Sequence, residues 1–199
     1  MRLVAGVDEA GRGCLAGPLV AAGVLFDYER LTARELRGLA ALNDSKQHTA
    51  HAREVLFPLV LSAAARVTVV SRCVRGIDSR GLHNTNLAAL GDAMLGVTSG
   101  VGGEVARLVD GFSLPQLEAS HHAIVDGDAT SAAIAAASII AKVTRDRYMR
   151  HADELHPGWR FAEHVGYSTP EHRDAIVRLG VSSLHRLSFQ SAAYQQLTL

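Results

Sequence analysis

Apolar positions change their spacing several times along this chain, and each change predicts an element. Residues 3–7 and 19–26 are short β-branched and aliphatic runs on either side of a Gly-rich turn, which reads as a hairpin of buried strands. Residues 31–42 and 49–65 take helical spacing, the first with irregular chain as its alternative and the second with Thr49 as N-cap. Residues 66–70 read as a third strand and 84–95 as a helix ending near Gly96. A fourth strand over 104–109 stops at Asp110-Gly111, and a short fifth over 123–125 stops at Asp126-Gly127-Asp128.

A long helix over about 131–154 carries too much alanine on most faces for a surface helix, so its small side chains predict close packing against a sheet. Pro157-Gly158 breaks it, shorter helices near 170–179 and 182–186 follow, and Trp159, Phe161 and Tyr167 read as packing for the tail, with one of them stacking on a sugar or base as the alternative. A hairpin, then strands alternating with helices, predicts one α/β domain with a mixed sheet over residues 1–199. Residues 155–199 form its helical C-terminal extension.

Composition narrows the class. A chain of 199 residues, 48% of them hydrophobic, buries roughly 70% of its unfolded surface as one domain. No apolar run approaches the ~20 residues that cross a bilayer, and the first residues lack the basic, apolar and small-residue succession of an export signal. Two cysteines, Cys14 and Cys73, are too few for a disulfide framework. These features predict a cytoplasmic protein with no membrane partner.

The formal net charge of zero argues against a protein that simply coats nucleic acid, but the charge is unevenly spread, with −2 over residues 1–140 and +2 over 141–199. Lys46 and Lys142 are the only lysines among twenty basic residues.

The strongest chemical signal is where carboxylates fall. Asp8 and Glu9 end the first predicted strand, Asp110 ends the fourth, and Asp128 follows the fifth. Parallel strands meet ligands at their carboxyl ends, so the three stretches can converge. At ~4 Å and an effective dielectric near 20, each like-charged pair repels by roughly 4 kcal/mol, so either some acids are protonated or a divalent cation lies among them. An all-oxygen donor set suits magnesium or manganese rather than zinc. Asp110-Gly111 and Gly127-Asp128 are also ordinary turn dipeptides, and Asp128 could cap the long helix. Adjacent acids closing a buried strand, however, bring no structural advantage.

Gly11-Arg12-Gly13 follows the acid pair at once. It is either a plain hairpin turn or a loop whose backbone N–H groups approach a phosphate or sugar hydroxyl. On the long helix Ser138, Lys142, Arg145 and Met149 share one face, and residues 142–150 hold four bases against one acid. That stripe either pairs with a phosphate backbone or is a solvated helix end. His121, His122, His164, His172 and His185 have no zinc-site spacing and read as core or surface residues.

Taken in order, these residues resemble the ribonuclease HII family. The resemblance is carried by residues 6–13 (Gly-Val-Asp-Glu-Ala-Gly-Arg-Gly) with Gly17-Pro18, by Asn43-Asp44-Ser45-Lys46, by Val109-Asp110-Gly111 and by Gly127-Asp128. It continues through the run from Ala136 to Asp146, through Gly166-Tyr167 with Thr169 and His172, and through His185-Arg186 with Ser188-Phe189. It spans nearly the whole chain.

The resemblance implies a ribonuclease H-like fold, a central mixed sheet flanked by helices with a helical C-terminal extension. It implies that Asp8, Glu9, Asp110 and Asp128 are the catalytic acids and bind two divalent cations, Mg2+ or Mn2+, for in-line attack that leaves 5′-phosphate and 3′-hydroxyl ends. Substrates would be RNA–DNA hybrids and single ribonucleotides in duplex DNA. Gly11, Arg12, Gly13 and Tyr167 would read the 2′-hydroxyl and its junction, while Lys46, Ser138 and Lys142 would face the backbone phosphates.

A monomer is expected, with a replication clamp as a further partner through a tail, residues 190–199, free to dock. Three positions depart from the family pattern: Asp126 where a lysine is usual before Gly-Asp, Val165 where a base is common before Gly-Tyr, and Cys14-Leu15-Ala16 in the opening motif. They bear on affinity and metal preference rather than on the reaction. The sister type, ribonuclease HIII, typically has Gly-Lys-Gly in the loop and an extra N-terminal domain, so Gly11-Arg12-Gly13 and a start at the first strand favour HII. A non-catalytic hybrid-binding module would lack an acid, and a small-molecule phosphatase would not need the basic stripe.

Overall fold

The computed structural model describes residues 2–40, 42 and 49–195. Five strands, β1 (Leu3–Ala10), β2 (Leu19–Asp27), β3 (Arg66–Arg72), β4 (Val105–Asp110) and β5 (His122–Ile124), form one sheet in the order β3-β2-β1-β4-β5. β1 and β2 pair antiparallel, as do β2 and β3, whereas β1–β4 and β4–β5 are parallel. The described helices are α1 (Ala33–Ala40), α2 (Ala50–Ala63), α3 (Val74–Arg80), α4 (Leu82–Thr98), α5 (Gly127–Thr130), α6 (Ala132–Leu155), α7 (Phe161–His164), α8 (Pro170–Leu179) and α9 (Ala192–Gln195).

The sheet is covered on both faces, so its inner strand β2 is buried at every residue. Val20, Ala22, Val24 and Phe26 pack with α6 and α2 on one face. Leu19, Ala21 and Leu25 pack with Leu90, Ala93, Met94 and Val97 of α4 on the other. The alanine-rich stretch of α6 allows the close approach its composition predicts: Ala133 to Ala137 are buried against the sheet. At the crossing with β1, a Cβ on Gly6 would lie 2.3 Å from the carbonyl carbon of Ala133, so only glycine fits there.

The α/β architecture, the sheet and the long helix follow the pattern read above, and Thr49 caps α2 by accepting from the Ala52 N–H at 3.2 Å. Four details differ. β1 runs on to Ala10, because Glu9 and Ala10 still pair with Ala21 and Val20, so the two acids lie inside the strand rather than after it. Helix α3 lies in a stretch to which the sequence pattern assigns no element.

Residues 182–186 are not helical. Ser182 donates its N–H to His185 Nδ1 at 2.8 Å, His185 bridges to Ala16, and Arg186 is drawn inward onto the carbonyls of Gly17 and Arg12. Side-chain bonds there replace the helical ladder. Finally, the tail is folded as far as it is described: Ala193 is buried against Leu15 and Ile176, and the Tyr194 hydroxyl donates to the Leu15 carbonyl at 3.0 Å. Among the described residues, no helix is long and apolar enough to cross a membrane.

Candidate active site

The register of the parallel strands brings Asp8 beside Asp110. Val7 lies opposite Val109, so Asp8 and Asp110 follow on neighbouring strands, and Asp110 in turn stands opposite Ile124 of β5. After β5 the chain turns sharply at Asp126, which is exposed and in the left-handed region (φ 52°), and enters α5. Gly127 then donates its N–H to Asp110 Oδ1 at 2.8 Å, and Asp128 is buried. Asp128 does not cap the long helix, whose N-cap position is Ser131.

The electrostatics are those of carboxylates crowded out of water. Burial raises Asp8 to about 7, with the charges of Glu9 and Asp110 adding to the effect and the Ser138 hydroxyl and the Glu9 N–H offsetting part of it. Burial also raises Glu9 to about 7; the Arg12 guanidinium opposes the shift and Asp110 adds to it. Glu9 Oε2 is nonetheless buried without a hydrogen-bond partner, as are both polar atoms of the Asn86 side chain. An unpartnered carboxylate oxygen beside further carboxylates fits a hard cation. Among the described residues, no three acids, histidines or cysteines stand close enough together to hold a metal ion.

The Gly-rich turn lies directly beside these acids. Arg12 is coupled to Glu9 and stacks on Phe112 at 4.6 Å from the ring centroid. Gly11 has φ +85°, and a Cβ there would fall 1.9 Å from Arg145 Nε, so conformation and space both require glycine. The space around Gly13 is open. Tyr167, 48% exposed, meets the same turn through the Cys14 thiol; burial raises both groups.

Other expected residues are placed differently. Ser138 is buried against Asp8, not presented at the surface, while Lys142, one helical turn on, is half-buried on the same side of α6. Lys46 lies outside the described residues. The basic stripe itself dissolves on inspection of its partners. Arg145 is buried and donates to the carbonyls of Pro18, Val165 and Ala16 at 2.8–2.9 Å, and Met149 is in the core. Arg147 and Arg150 both pair with Glu54.

Sequence reasoning also passed over Asn86 and Phe112, and gave Arg186 no role beyond its place in a family motif. Asn86 had a readable signal, a polar residue on the apolar face of the helix leading into Leu87 and Leu90. The burial of Arg145 and Arg186 had none, since an arginine in a mixed-charge stretch usually reads as exposed.

A family model for Ribonuclease HII matches residues 5–192. The Ribonuclease HII of Mycobacteroides abscessus is 47% identical over 188 residues, covering 94% of this chain and 76% of that protein. Among solved structures, ribonuclease H2 from Pyrococcus horikoshii superposes with a TM-score of 0.77 at 27% identity, covering 98% of this chain and 96% of that one. The PCNA:RNase HII complex from Archaeoglobus fulgidus gives a TM-score of 0.74 at 25% identity, over 92% of each chain. With the fold in agreement with these likenesses, the chain belongs to the ribonuclease HII family of metal-dependent nucleases.

Proposed function

We propose that the protein is an endoribonuclease that hydrolyses the RNA strand of RNA–DNA hybrids and incises duplex DNA at single embedded ribonucleotides, leaving 5′-phosphate and 3′-hydroxyl ends. One observation carries this reading: Asp8, Glu9 and Asp110 share a single field at the end of parallel strands, with Glu9 Oε2 buried and unpartnered.

Asp8, Glu9, Asp110 and Asp128 would hold two divalent cations, Mg2+ or Mn2+. When bound, such ions supply water activation and charge neutralisation at the leaving oxygen during in-line displacement. The protein's own part is placement. Ser138 orients Asp8, Gly127 holds Asp110 by its N–H, and Arg12 tempers the charge on Glu9. The Gly11–Gly13 turn and the exposed face of Tyr167 form one continuous edge beside the acids, suited to reading a 2′-hydroxyl and the following deoxyribonucleotide. Lys142, and Lys46 by its family motif, serve the backbone phosphates.

The free thiols Cys14 and Cys73 suit a reducing cytoplasm. A sliding-clamp partner rests on the likeness to the Archaeoglobus complex and not on a free tail, because residues 191–194 pack on the fold. The activity is tested with an end-labelled hybrid incubated with Mg2+ or Mn2+. Cleavage confined to the RNA strand and abolished by EDTA supports the proposal, and cleavage of neither strand with either ion overturns it.

A further inference from the structure

Three histidines read from the sequence as unremarkable core or surface residues converge on the two residues that present Tyr167. His164, His172 and His185 are all buried. His164 and His172 stack with ring centroids 4.1 Å apart, and His172 Nε2 meets His185 Nε2 at 3.1 Å.

Two ring nitrogens at that distance share one proton between them, and the ends of the chain decide where it lies. At one end the Ser182 N–H can only donate, and it points at His185 Nδ1 at 2.8 Å. The Ser182 hydroxyl, which itself accepts from the Leu184 N–H, also reaches that nitrogen at 2.9 Å. His185 Nδ1 is therefore an acceptor, and the proton of the neutral ring is on Nε2. His185 donates to His172 Nε2, which leaves the His172 proton on Nδ1. That group lies 2.8 Å from the carbonyl of Tyr167, which can only accept. A single assignment of neutral tautomers satisfies every bond from Ser182 to Tyr167.

The preceding residue is held in the same way. The Gly166 N–H donates to His164 Nδ1 at 3.1 Å, so His164 carries its proton on Nε2 and donates to the Trp159 carbonyl at 2.7 Å. The Gly166 carbonyl accepts from the N–H of Leu15 and of Ala16 in the Gly-rich turn, at 2.8 and 3.3 Å. Thus the imidazoles fix the peptide groups of Gly166 and Tyr167, and these in turn fix the turn that flanks the acids.

We propose that His172 and His185 are positioning residues for ribonucleotide recognition, acting as an ordered pair of opposite neutral tautomers that sets Tyr167 against the Gly11–Gly17 turn. Neither ring touches substrate; both act through the backbone of Tyr167. The proposal rests on the reading of Tyr167 as a junction-recognition residue, so the test separates the two. Initial rates are measured on DNA with one embedded ribonucleotide and on a long RNA–DNA hybrid, for Tyr167→Ala, His172→Phe, His172→Asn and the double variant His172→Phe/Tyr167→Ala.

His172→Phe keeps the ring volume without the bonds, and lowers the ratio of single-ribonucleotide to hybrid cleavage at least tenfold. His172→Asn, whose amide can still donate to the Tyr167 carbonyl, recovers most of that ratio. The double variant is no worse in ratio than Tyr167→Ala alone. Equal loss on both substrates from His172→Phe, or ratio effects that multiply in the double variant, would overturn the positioning role while leaving that of Tyr167 intact. An unchanged ratio in Tyr167→Ala would instead remove the reading of Tyr167. Independently of whether any variant folds, 15N chemical shifts of the imidazoles in the wild-type protein should show a protonated Nδ1 on His172 and a protonated Nε2 on His185. The same tautomer on both rings would contradict the ordered pair.

Discussion

The Asp110 carboxylate accepts the Gly127 N–H at 2.8 Å, so the acid that ends β4 is tied to the residue just before Asp128. Two of the three stretches that supply acids are therefore tied directly, and the third is joined to them through the β1–β4 register. Asparagine at position 110 retains an acceptor for Gly127 and loses only the charge. Asp110→Asn is expected to melt within about 2 °C of the wild type, since exchange of one satisfied acceptor for another is nearly neutral. Its hybrid cleavage should fall by roughly a hundredfold or more, a loss of about 3 kcal/mol in transition-state stabilisation. Thermal melts and steady-state rates on the same preparation test both halves.

Asp8 carries a pH signature of opposite sign to an ordinary carboxylate. Its folded-state pKa of about 7 lies above the ordinary 3.8, so the fold binds the proton more tightly than the unfolded chain does. The ionised side chain thus destabilises the metal-free protein fully above pH 7, and the penalty fades as pH falls toward 4. In EDTA, Asp8→Asn should be more stable than the wild type by about 4 kcal/mol at pH 8, with the gap narrowing to about 1 kcal/mol by pH 4.5. Denaturant melts of both proteins across that range check it; a difference independent of pH contradicts the burial of the charge.

His172 and His185 give a counter-running acid limb. Burial pushes both down to about 4, below the ordinary 6.5, so protons bind the unfolded chain first. Their contribution to stability is complete above about pH 6.5 and is lost as pH falls toward 4, at a limit of roughly 3 kcal/mol for each ring. Because Asp8 and Glu9 act oppositely in that window, the informative quantity is the difference between wild type and His172→Phe. The variant should be the less stable at pH 7.5, with the gap narrowing by pH 4.5. A constant gap would show that His172 does not titrate with folding.

Arg145 ties three segments together with one planar group, donating to Pro18, Ala16 and Val165. A lysine ammonium is a compact point charge that cannot span three divergent carbonyls, so the conservative replacement is not conservative here. Arg145→Lys is expected to cost about 3 kcal/mol, lowering the melting temperature by roughly 6–12 °C. A melt within 2 °C of the wild type would show that the guanidinium is dispensable.

Much of this molecule is legible from residue pattern alone, for identifiable reasons. The strands and the alanine-rich α6 announce themselves because burial on two faces and close packing leave a compositional trace at Leu19–Asp27 and Ala132–Leu155. The acids stand out because charges at the ends of buried strands are costly without a use. What stayed hidden depends on partners distant in sequence. The face carrying Lys142, Arg145 and Met149 looks like a phosphate-binding stripe until Arg145 is seen among the carbonyls of residues 16, 18 and 165. Residues 182–186 look helical until Ser182 bonds the His185 ring and Arg186 finds Gly17 across the fold. The three histidines carry no spacing signal because their order arises only when α7, α8 and the chain after α8 meet.

The most direct test of the account uses duplex DNA with a single ribonucleotide, supplied separately with Mg2+ and with Mn2+, incubated with wild-type protein and Asp8→Asn, and with product ends mapped. The expected result is metal-dependent incision by the wild type beside the ribonucleotide, giving one 3′-hydroxyl and one 5′-phosphate, and none by the variant. Incision that persists in EDTA, or that Asp8→Asn performs as well as the wild type, would contradict a cation site built from Asp8, Glu9, Asp110 and Asp128.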